Sequence, residues 1–379
     1  MIYGQEELAR NDARRGQQQR NADAESGRNQ ERAFLHSRAS TVPQLDQFRG
    51  CLVGQCLGDA LGFPVEGTPP DICSSYIAEL RAGRFEPWPA TRGNYAFGQY
   101  TDDSQLAREL MLSYAEVGRF DPVDYASRIR SIFAENRIVG RGFATEAAAR
   151  RLIAGVHWEE AGTPAPHAGN GTAMRAGPVG LLFGDDPEEM IRVAHDQGRI
   201  THRDGRCSAG SIAVAGAVAL AAQPGVMEVP RFVRQLSEWM CAFDENFADH
   251  VPQLADWVKL SPEKAAPIIS RSGQEKSLDD WKWISPFVIP SVLWSLYSFL
   301  RTPEEYWETV CTAIIAGGDV DTTAAMAGAI SGAHLGLERL PLELAGHLND
   351  RGAWRLDDLV GLSDRCYRIK CGELPRQAV

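Results

Sequence analysis

The stretch that decides the fold is Ala316-Gly-Gly-Asp-Val-Asp-Thr-Thr-Ala-Ala-Met-Ala-Gly-Ala-Ile-Ser-Gly-Ala-His-Leu-Gly336, in which two acids open a long run of small residues. Ala324, Gly328, Gly332 and Gly336 recur at every fourth position, so they share one face of a helix. A face without side-chain bulk lets a neighbouring backbone approach closely. The pattern therefore predicts a helix at the centre of the molecule, with its two acids buried as well.

A second stretch repeats this design. Tyr100-Thr-Asp-Asp103 places a hydroxyl and two adjacent acids before Leu106, Leu110 and Tyr114, which follow at helical spacing. Helix capping by itself explains acids in a first turn, but burying two carboxylates side by side is costly without a cation. Two such helix starts meeting head to head would offer only oxygen donors, which suit Mg²⁺ or Mn²⁺. Four acids favour two ions, because one divalent ion would leave negative charge uncompensated.

Composition indicates a soluble globular protein and limits its partners. The 379 residues are 44% apolar and 23% charged, with a formal net charge of -11. This charge opposes a nucleic-acid surface or an anionic membrane as the main partner. The cysteines are scattered without a Cys-x-x-Cys pair or a zinc-like spacing, so we expect most of them to be buried, reduced thiols.

Residues 1–41 differ in composition from the rest of the chain. They are rich in Arg and Gln and hold too few apolar residues to become ordered on their own. We interpret them as a polar N-terminal extension, either a solvated tail or an arm that orders on a protein partner. The start of the chain lacks the basic and apolar regions of a signal peptide, so we expect a cytoplasmic protein.

The folded body, residues 42–379, is predicted to be one all-α domain. Strands of alternating apolar and polar residues are nearly absent from it. Its first helix carries glycines four apart, ending at Gly58 and Gly62, and this spacing again indicates close helix contact. Asp59 would lie inside that contact.

Two segments of the body are interpreted as loops. Residues 68–100 are rich in Pro and Gly and read as a long loop over the site, of the kind that often serves as a lid. Residues 162–175 read as a flexible Gly-rich loop with N–H groups suited to phosphate oxygens, although a plain turn fits the same composition. His202, just before an Ala-rich helix, fits a local hydrogen-bonding role and a ligand contact equally well.

Five motifs follow one another along the chain. They are Arg49-Gly-Cys-Leu-Val-Gly-Gln-Cys-Leu-Gly-Asp-Ala-Leu-Gly62, Tyr100-Thr-Asp-Asp-Ser104, Gly169-Asn-Gly-Thr-Ala-Met-Arg175, Thr201-His202 and Gly317-Gly-Asp-Val-Asp-Thr-Thr323. In this order they resemble the motifs of the ADP-ribosylglycohydrolase family, which includes the dinitrogenase reductase-activating glycohydrolases and the ADP-ribosyl-acceptor hydrolases. The resemblance runs from about residue 46 to residue 370.

This resemblance implies a single compact all-α domain that uses two Mg²⁺ or Mn²⁺ ions to remove ADP-ribose from modified proteins. The implied metal ligands are Thr101, Asp102, Asp103, Asp319, Asp321 and Thr322. Glu66 falls where the members most active on ADP-ribosyl-serine have a catalytic glutamate. The residues implied to hold the diphosphate and ribose, or to line the same cleft, are Gly169, Asn170, Gly171 and His202.

One position departs from the family pattern. Related members often place an aromatic residue directly before the Gly-Asn-Gly motif, where it stacks on adenine, whereas this chain has Ala168 preceded by His167. Adenine recognition is then expected either from another residue, such as His167 or Trp283, or to be looser.

The expected chemistry follows from the residue types. Cleaving an N- or O-glycosidic bond at the anomeric carbon of ribose builds positive charge on the sugar and negative charge on the departing side chain. Metal ions at the ribose hydroxyls would lower the pKa of a bound water, and a carboxylate would take its proton. Asp102, Asp103 and Glu66 are the candidate catalytic residues, whereas Asp319 and Asp321 are expected to act mainly as structural ligands.

Two alternatives lead to other functions. Asp319-Val-Asp-Thr-Thr323 also matches the nucleophile motif of haloacid dehalogenase-like phosphatases, but that motif needs an α/β domain after it and only 56 residues of the 379 remain. The second alternative is a binding protein of the same fold, such as an immunity protein that blocks an ADP-ribosyltransferase toxin with its N-terminal arm. Intact acids at all four metal positions oppose a purely structural role.

Overall fold

The structure is built from helices. The computed structural model describes residues 43–84, 95–273 and 283–374, and within these ranges the chain forms helices and isolated β-bridges but no strand. The prediction of an all-α fold is confirmed for this part of the chain. The α-helices are α1 (Leu45–Gly62), α2 (Pro70–Arg81), α3 (Asp102–Val117), α4 (Pro122–Ala134), α5 (Phe143–Ile153), α6 (Trp158–Ala161), α7 (Gly177–Phe183), α8 (Pro187–Arg199), α9 (Gly205–Ala221), α10 (Val229–Met240), α11 (Glu245–His250), α12 (Leu254–Trp257), α13 (Pro262–Ile269), α14 (Val288–Arg301), α15 (Tyr306–Ile315), α16 (Val320–Leu335), α17 (Leu342–Ala345) and α18 (Leu356–Lys370).

Helices α1 and α16 run antiparallel in direct backbone contact. A Cβ atom added to Gly54 would lie 2.5 Å from the carbonyl oxygen of Gly328, and one added to Gly62 would lie 2.5 Å from the Cα of Asp321. No side chain larger than hydrogen fits at such positions. Every residue from Val320 to Ala333 is buried, so the prediction of a central helix is confirmed.

Other helices surround this pair and bury it on all sides. Helices α9, α14 and α15 pack on α16, while α3 and α18 pack on α1. A helix covered all round needs no polar face, which explains why the side chains of α16 are small or apolar around its whole circumference. The packing also places the N-terminus of α16 beside the C-terminus of α1 and the N-terminus of α3.

The interpretation of residues 68–100 as one long loop is wrong for its first part, which forms α2. Pro70 occupies the first turn, where its missing N–H costs nothing. The helix is held by an apolar stripe at i, i+3, i+4 and i+7 that consists of Cys73, Tyr76, Ile77 and Leu80. The Pro and Gly content of the whole segment obscured this local periodicity.

Two predictions fall outside the described residues. The polar extension, residues 1–41, and the part of the lid at residues 85–94 lie there, so both stay predictions, as does the domain boundary near residue 42. Across the helices of residues 43–84, 95–273 and 283–374, none combines the length and the apolar character needed to cross a membrane. The cysteines are unpaired and mostly buried, as expected, with Cys241 and Cys371 exposed.

Candidate active site

Two helix N-termini meet at one cavity of about 660 Å³, a volume typical of small-molecule sites. Asp102 and Asp103 open α3, and Asp321 lies in the first turn of α16 after its N-cap residue, Asp319. The predicted site residues that line the cavity are Glu66, Asp102, Asp103, Gly169, Asn170, Gly171, His202, Asp319, Asp321 and Thr322. The structure thus brings together acids that are far apart in the sequence. Thr101 does not line the cavity, and its hydroxyl is hydrogen-bonded to the carboxylate of Asp103.

Asp59, near the end of α1, is a site residue that sequence reasoning missed. Its carboxylate is fully buried and accepts hydrogen bonds from the backbone N–H groups of Thr101 at 3.0 Å and of Ser104 at 3.1 Å. Asp59 thereby caps α3 from another helix, since the first N–H groups of a helix have no partner within it. The sequence feature that could have identified Asp59 is its place between Gly58 and Gly62, in a helix contact that must be buried.

Asp103 carries an acceptor atom that the protein does not fill. The Thr101 hydroxyl lies 2.8 Å from Asp103 Oδ2 and 3.0 Å from Asp59 Oδ1, and its single proton can serve only one of the two carboxylates. Asp103 Oδ1 is buried and has no hydrogen-bond partner among the described residues. Leaving a buried acceptor unsatisfied costs about 1–3 kcal/mol and more for a charged group, so this oxygen is one that a cation could satisfy.

Asp319 is held by the Gly-rich loop. The side-chain amide of Asn170 donates to Asp319 Oδ2 at 2.5 Å and to the Ser291 hydroxyl at 2.8 Å. The Thr322 hydroxyl donates to Asp319 Oδ1 at 3.3 Å, and the Asp319 N–H donates to the Ile284 carbonyl at 2.9 Å. Asn170 therefore positions an acid of the cluster in addition to lining the cavity.

The loop that carries Glu66 is tied to the start of α16. The Gly67 N–H donates to the Gly318 carbonyl at 2.7 Å, and the Gly318 N–H donates to the Thr68 carbonyl at 3.1 Å. Both glycines have positive φ, a conformation that other residues rarely adopt. These two bonds bring a carboxylate oxygen of half-buried Glu66 within 4.8 Å of one of Asp321.

Burial and mutual repulsion raise the pKa values of the clustered acids. Burial raises the pKa of Asp59 and of Asp102 to about 7. The pKa values of Asp103 and Asp321 lie well above the ordinary range, because of burial first and of neighbouring carboxylates second. Divalent cations would displace the protons that such acids retain, so metal binding is expected to release protons and to tighten as the pH rises.

His202 lies against the glycines of the Gly-rich loop. A Cβ atom at Gly171 would lie 2.8 Å from His202 Cε1, and one at Gly169 would lie 3.5 Å from Nε2. Burial, followed by the charge of Arg175, lowers the pKa of His202 to about 3, so its imidazole is neutral at pH 7. The structure joins His202 to the loop predicted to hold diphosphate, whereas its contact with ligand stays a prediction.

Aromatic side chains mark one part of the cavity wall. Phe143, the first residue of α5, lines the cavity yet is 72% exposed, and its ring centroid lies 5.7 Å from that of His167. Phe287 also lines the cavity. Trp283, the other residue considered for adenine, lines a neighbouring cavity of about 790 Å³ together with Trp294. Phe143 was missed because a single aromatic after a glycine has no distinguishing pattern.

A buried ion-pair network holds the segment before Asp102. The Arg108 guanidinium is buried and donates to Asp350 Oδ2 at 2.8 Å, to Glu109 at 3.1 Å and to the Tyr100 hydroxyl at 3.1 Å. Asp350 belongs to the segment before α18, so the C-terminal part of the chain helps to position the first metal-ligand candidate. Sequence reasoning missed Asp350, because an acid in a loop carries no local signal.

The chain is similar to known proteins over most of its length. The model of the ADP-ribosylglycohydrolase family matches residues 40–373. ADP-ribosylhydrolase ARH3 of Mus musculus is 29% identical over 332 residues, covering 80% of this chain and 87% of its own. ADP-ribosylarginine hydrolase Tri1 of Pseudomonas putida is 27% identical over 326 residues, covering 82% of this chain and 77% of its own. Among solved structures, an ADP-ribosylglycohydrolase-related protein complex contains a similar chain, with a TM-score of 0.58, 25% identity and coverage of 86% of this chain and 98% of that chain. The family match spans every residue of the cavity described above.

Proposed function

Because the chain belongs to the ADP-ribosylglycohydrolase family, we propose that it hydrolyses the glycosidic bond between ADP-ribose and a modified acceptor, with two Mg²⁺ or Mn²⁺ ions held by its acidic cluster. The observation that carries this proposal is the convergence of Asp102, Asp103, Asp319 and Asp321 on one cavity. The names of the two relatives, an ADP-ribosylhydrolase and an ADP-ribosylarginine hydrolase, support the same reaction class.

The donor atoms of the cluster suit hard divalent cations. All are carboxylate or hydroxyl oxygens, and the unpartnered Oδ1 of Asp103 is the atom that a cation would satisfy most directly. When bound, the ions would orient the ribose hydroxyls and lower the pKa of a water molecule. The residues that we assign to hold them are Asp102, Asp103, Asp319, Asp321 and Thr322, while Thr101, predicted as a ligand, positions Asp103 through its hydrogen bond.

The protein itself supplies the base that takes up the proton of the attacking water. The water oxygen bonds to the anomeric carbon while the bond to the acceptor breaks. The acceptor atom keeps the electron pair and takes up a proton from the protonated base or from solvent. Glu66, Asp102 and Asp103 are the candidates. Glu66 is favoured, because it is half-buried on a loop at the edge of the cluster, whereas Asp102 and Asp103 are buried at the start of α3.

Replacing Glu66 with Gln should lower kcat by about 10²- to 10⁴-fold, the usual contribution of a general base, and should leave KM nearly unchanged. The amide keeps the size of the side chain but cannot take up a proton. Steady-state release of ADP-ribose measures both constants. Glu188→Gln, on the exposed face of α8, is the matched control and should behave as the wild type. Wild-type kcat in Glu66→Gln would transfer the base role to Asp102 or Asp103.

The nucleobase end of the ligand is assigned to the aromatic wall of the cavity. Family members often stack adenine on an aromatic residue directly before the Gly-Asn-Gly motif, where this chain has Ala168. Phe143 and His167 offer ring surface at the same cavity, and the exposure of Phe143 leaves a face free for stacking. In this proposal these two side chains take over the stacking role.

The proposed function is tested with a panel of ADP-ribosylated substrates that differ only in the acceptor, which is arginine, serine, another side chain or a nucleobase. We expect release of free ADP-ribose from at least one of them in Mg²⁺ or Mn²⁺, and none in EDTA. Restoring each metal in turn after chelation identifies the ion that supports turnover. Full turnover in EDTA, or no release from any substrate with either metal, would contradict the proposal.

The binding-protein alternative concerns residues outside the described part of the chain. An N-terminal arm that blocks a toxin would lie within residues 1–41. Binding of a protein partner by this arm would be an additional function and would not exclude hydrolysis in the cavity. Deleting residues 1–41 and measuring both hydrolysis and partner binding separates these roles. Loss of partner binding with full hydrolysis would assign the arm to a partner, whereas loss of hydrolysis would assign it to the active site.

A further inference from the structure

Arg175, the last residue of the motif Gly169–Arg175, is a fully buried arginine that donates hydrogen bonds to neutral groups. Its Nε donates to Gln197 Oε1 at 2.8 Å, and its Nη2 donates to the Gln197 carbonyl at 2.9 Å and to Thr201 Oγ1 at 2.8 Å. Among the described residues no carboxylate lies within ion-pair distance of it. Its guanidinium also lies 5.8 Å from the centroid of the Tyr125 ring, and the charge of Asp102 acts on it from beyond ion-pair distance.

The bond from Arg175 determines which way the Thr201 hydroxyl points. The hydroxyl has one proton, and two acceptors lie near it: His202 Nδ1 at 2.9 Å and the Gly198 carbonyl at 3.4 Å. That carbonyl already accepts the backbone N–H groups of Thr201 and His202, both at 3.0 Å, which occupies its two lone pairs. A bond of 3.4 Å between oxygens is also at the limit of useful length. The hydroxyl proton therefore goes to His202 Nδ1.

We propose that Arg175 and Thr201 act as positioning residues that hold His202 in the neutral tautomer with its proton on Nε2, so that this N–H donates to a ligand oxygen in the cavity. The second half of the inference rests on the proposed function, because the oxygen belongs to a phosphate or hydroxyl group of the ADP-ribosyl ligand. His202 lines the cavity, and within the described residues no group is hydrogen-bonded to its Nε2. Because Gly169 and Gly171 have no side chains, the edge of the His202 ring that carries Nε2 and Cε1 is not covered at these two positions.

The surroundings of His202 favour a neutral donor over an imidazolium. The charged or titratable groups that act on it are Arg175, Asp204 and His167. Asp204 is engaged by Arg206 at 2.8 Å, so its charge is already compensated, while Arg175 repels a second positive charge. A polarised hydroxyl is also a stronger donor, because Arg175 withdraws electron density from its oxygen. A neutral His202 with its proton on Nε2 can thus donate a directional hydrogen bond to a ligand oxygen without adding positive charge to the cavity.

The test is ¹⁵N–¹H correlation spectroscopy of the full-length protein labelled at histidine, with His202→Gln used to assign the His202 ring signals. In the wild type at pH 7 we expect a protonated Nε2 and an unprotonated Nδ1 that accepts a hydrogen bond. Thr201→Val removes the donor and should convert His202 into a mixture of tautomers. It should also weaken ADP-ribose binding, measured by calorimetry, about tenfold, which corresponds to one hydrogen bond. Thr201→Ser keeps the hydroxyl and should match the wild type in both measurements.

Each outcome decides the proposal. A wild-type His202 protonated on Nδ1, or an unchanged Nε2 tautomer in Thr201→Val, would overturn it. If Thr201→Val does not fold, the wild-type spectrum still decides, and Arg175→Lys provides a second perturbation of the same hydroxyl. Addition of ADP-ribose should shift the Nε2–H signal, and binding without that shift would overturn the donor role. Absence of any ADP-ribose binding would instead count against the proposed function, while the tautomer of the free protein continues to test the roles of Arg175 and Thr201.

Discussion

Replacing Asp103 with Asn is expected to lower turnover by at least about 10³-fold and, in a chelator, to make the protein more stable than the wild type. Metal-assisted stabilisation of a reacting sugar and water is worth several kcal/mol, and each 1.36 kcal/mol is tenfold in rate. Without metal, however, the Asp103 carboxylate is buried with Asp59 and Asp102 nearby, and burial and these charges raise its pKa. The amide keeps the shape and needs neither a buried charge nor the uptake of a proton, so activity and metal-free stability should change in opposite directions.

The pH dependence of the metal-free protein checks the same reasoning. A carboxyl group whose pKa is higher in the folded than in the unfolded state binds protons on folding, so its cost falls as the pH decreases. The chelated wild type should therefore gain stability from about pH 8 to about pH 6, where Asp59 and Asp102, with pKa values of about 7, also take up protons. Asp103→Asn should gain less over this interval.

The measurements are turnover with metal and thermal unfolding in EDTA at several pH values. Asp71→Asn, which changes an exposed acid in the first turn of α2, is the control and should leave both quantities unchanged. Turnover at the wild-type level in Asp103→Asn would show that the cluster is not the reaction centre. A chelated variant less stable than the chelated wild type would show that Asp103 is needed for packing.

Replacing Gly58 with Ala is expected to destabilise the protein by about 3 kcal/mol, the upper end of the usual cost of overpacking, and to abolish activity with it. The added methyl group would lie 2.6 Å from the carbonyl carbon of Ala324, closer than real Cβ contacts allow. The atom that it meets is backbone, so α1 and α16 would have to move apart, and overpacking of this kind costs about 1–3 kcal/mol or more. Because Asp59 is the next residue in the chain, the movement would also displace the acid that caps α3.

Gly361→Ala on α18 is the matched control for this prediction. A Cβ atom there meets nothing within 4 Å, and Gly361 lies on the exposed face of a helix. The same substitution should therefore stabilise the protein by about 0.5–1 kcal/mol, because alanine loses less backbone freedom than glycine. Thermal unfolding of both variants shows whether the substitution lowers stability at position 58 and raises it at position 361. Activity is measured on the same samples. Wild-type stability in Gly58→Ala would mean that the two central helices are not in backbone contact.

Local patterns predicted the parts of this protein that depend on neighbouring residues in the chain. The recurrence of small residues at every fourth position from Ala324 to Gly336 predicted a buried central helix. The acids at two helix starts indicated a shared site. The helix Pro70–Arg81 was missed, although its apolar stripe is equally local, because the Pro and Gly residues around it indicated a loop. The nucleobase position was also left open, since a departure from a family motif at Ala168 does not say which side chain compensates for it.

The sequence by itself determined the all-α class, the identity of the central helix and most of the acids that could hold metal, because helical periodicity and motif spacing are properties of short segments. Only the tertiary structure decided that the glycine faces of α1 and α16 contact each other, that Asp59 caps α3, and that two backbone bonds bring Glu66 beside Asp321. The same holds for the contact of Arg175 with Thr201. Each of these contacts joins segments that are separate in the chain, and their energies depend on distances and burial that no local pattern records.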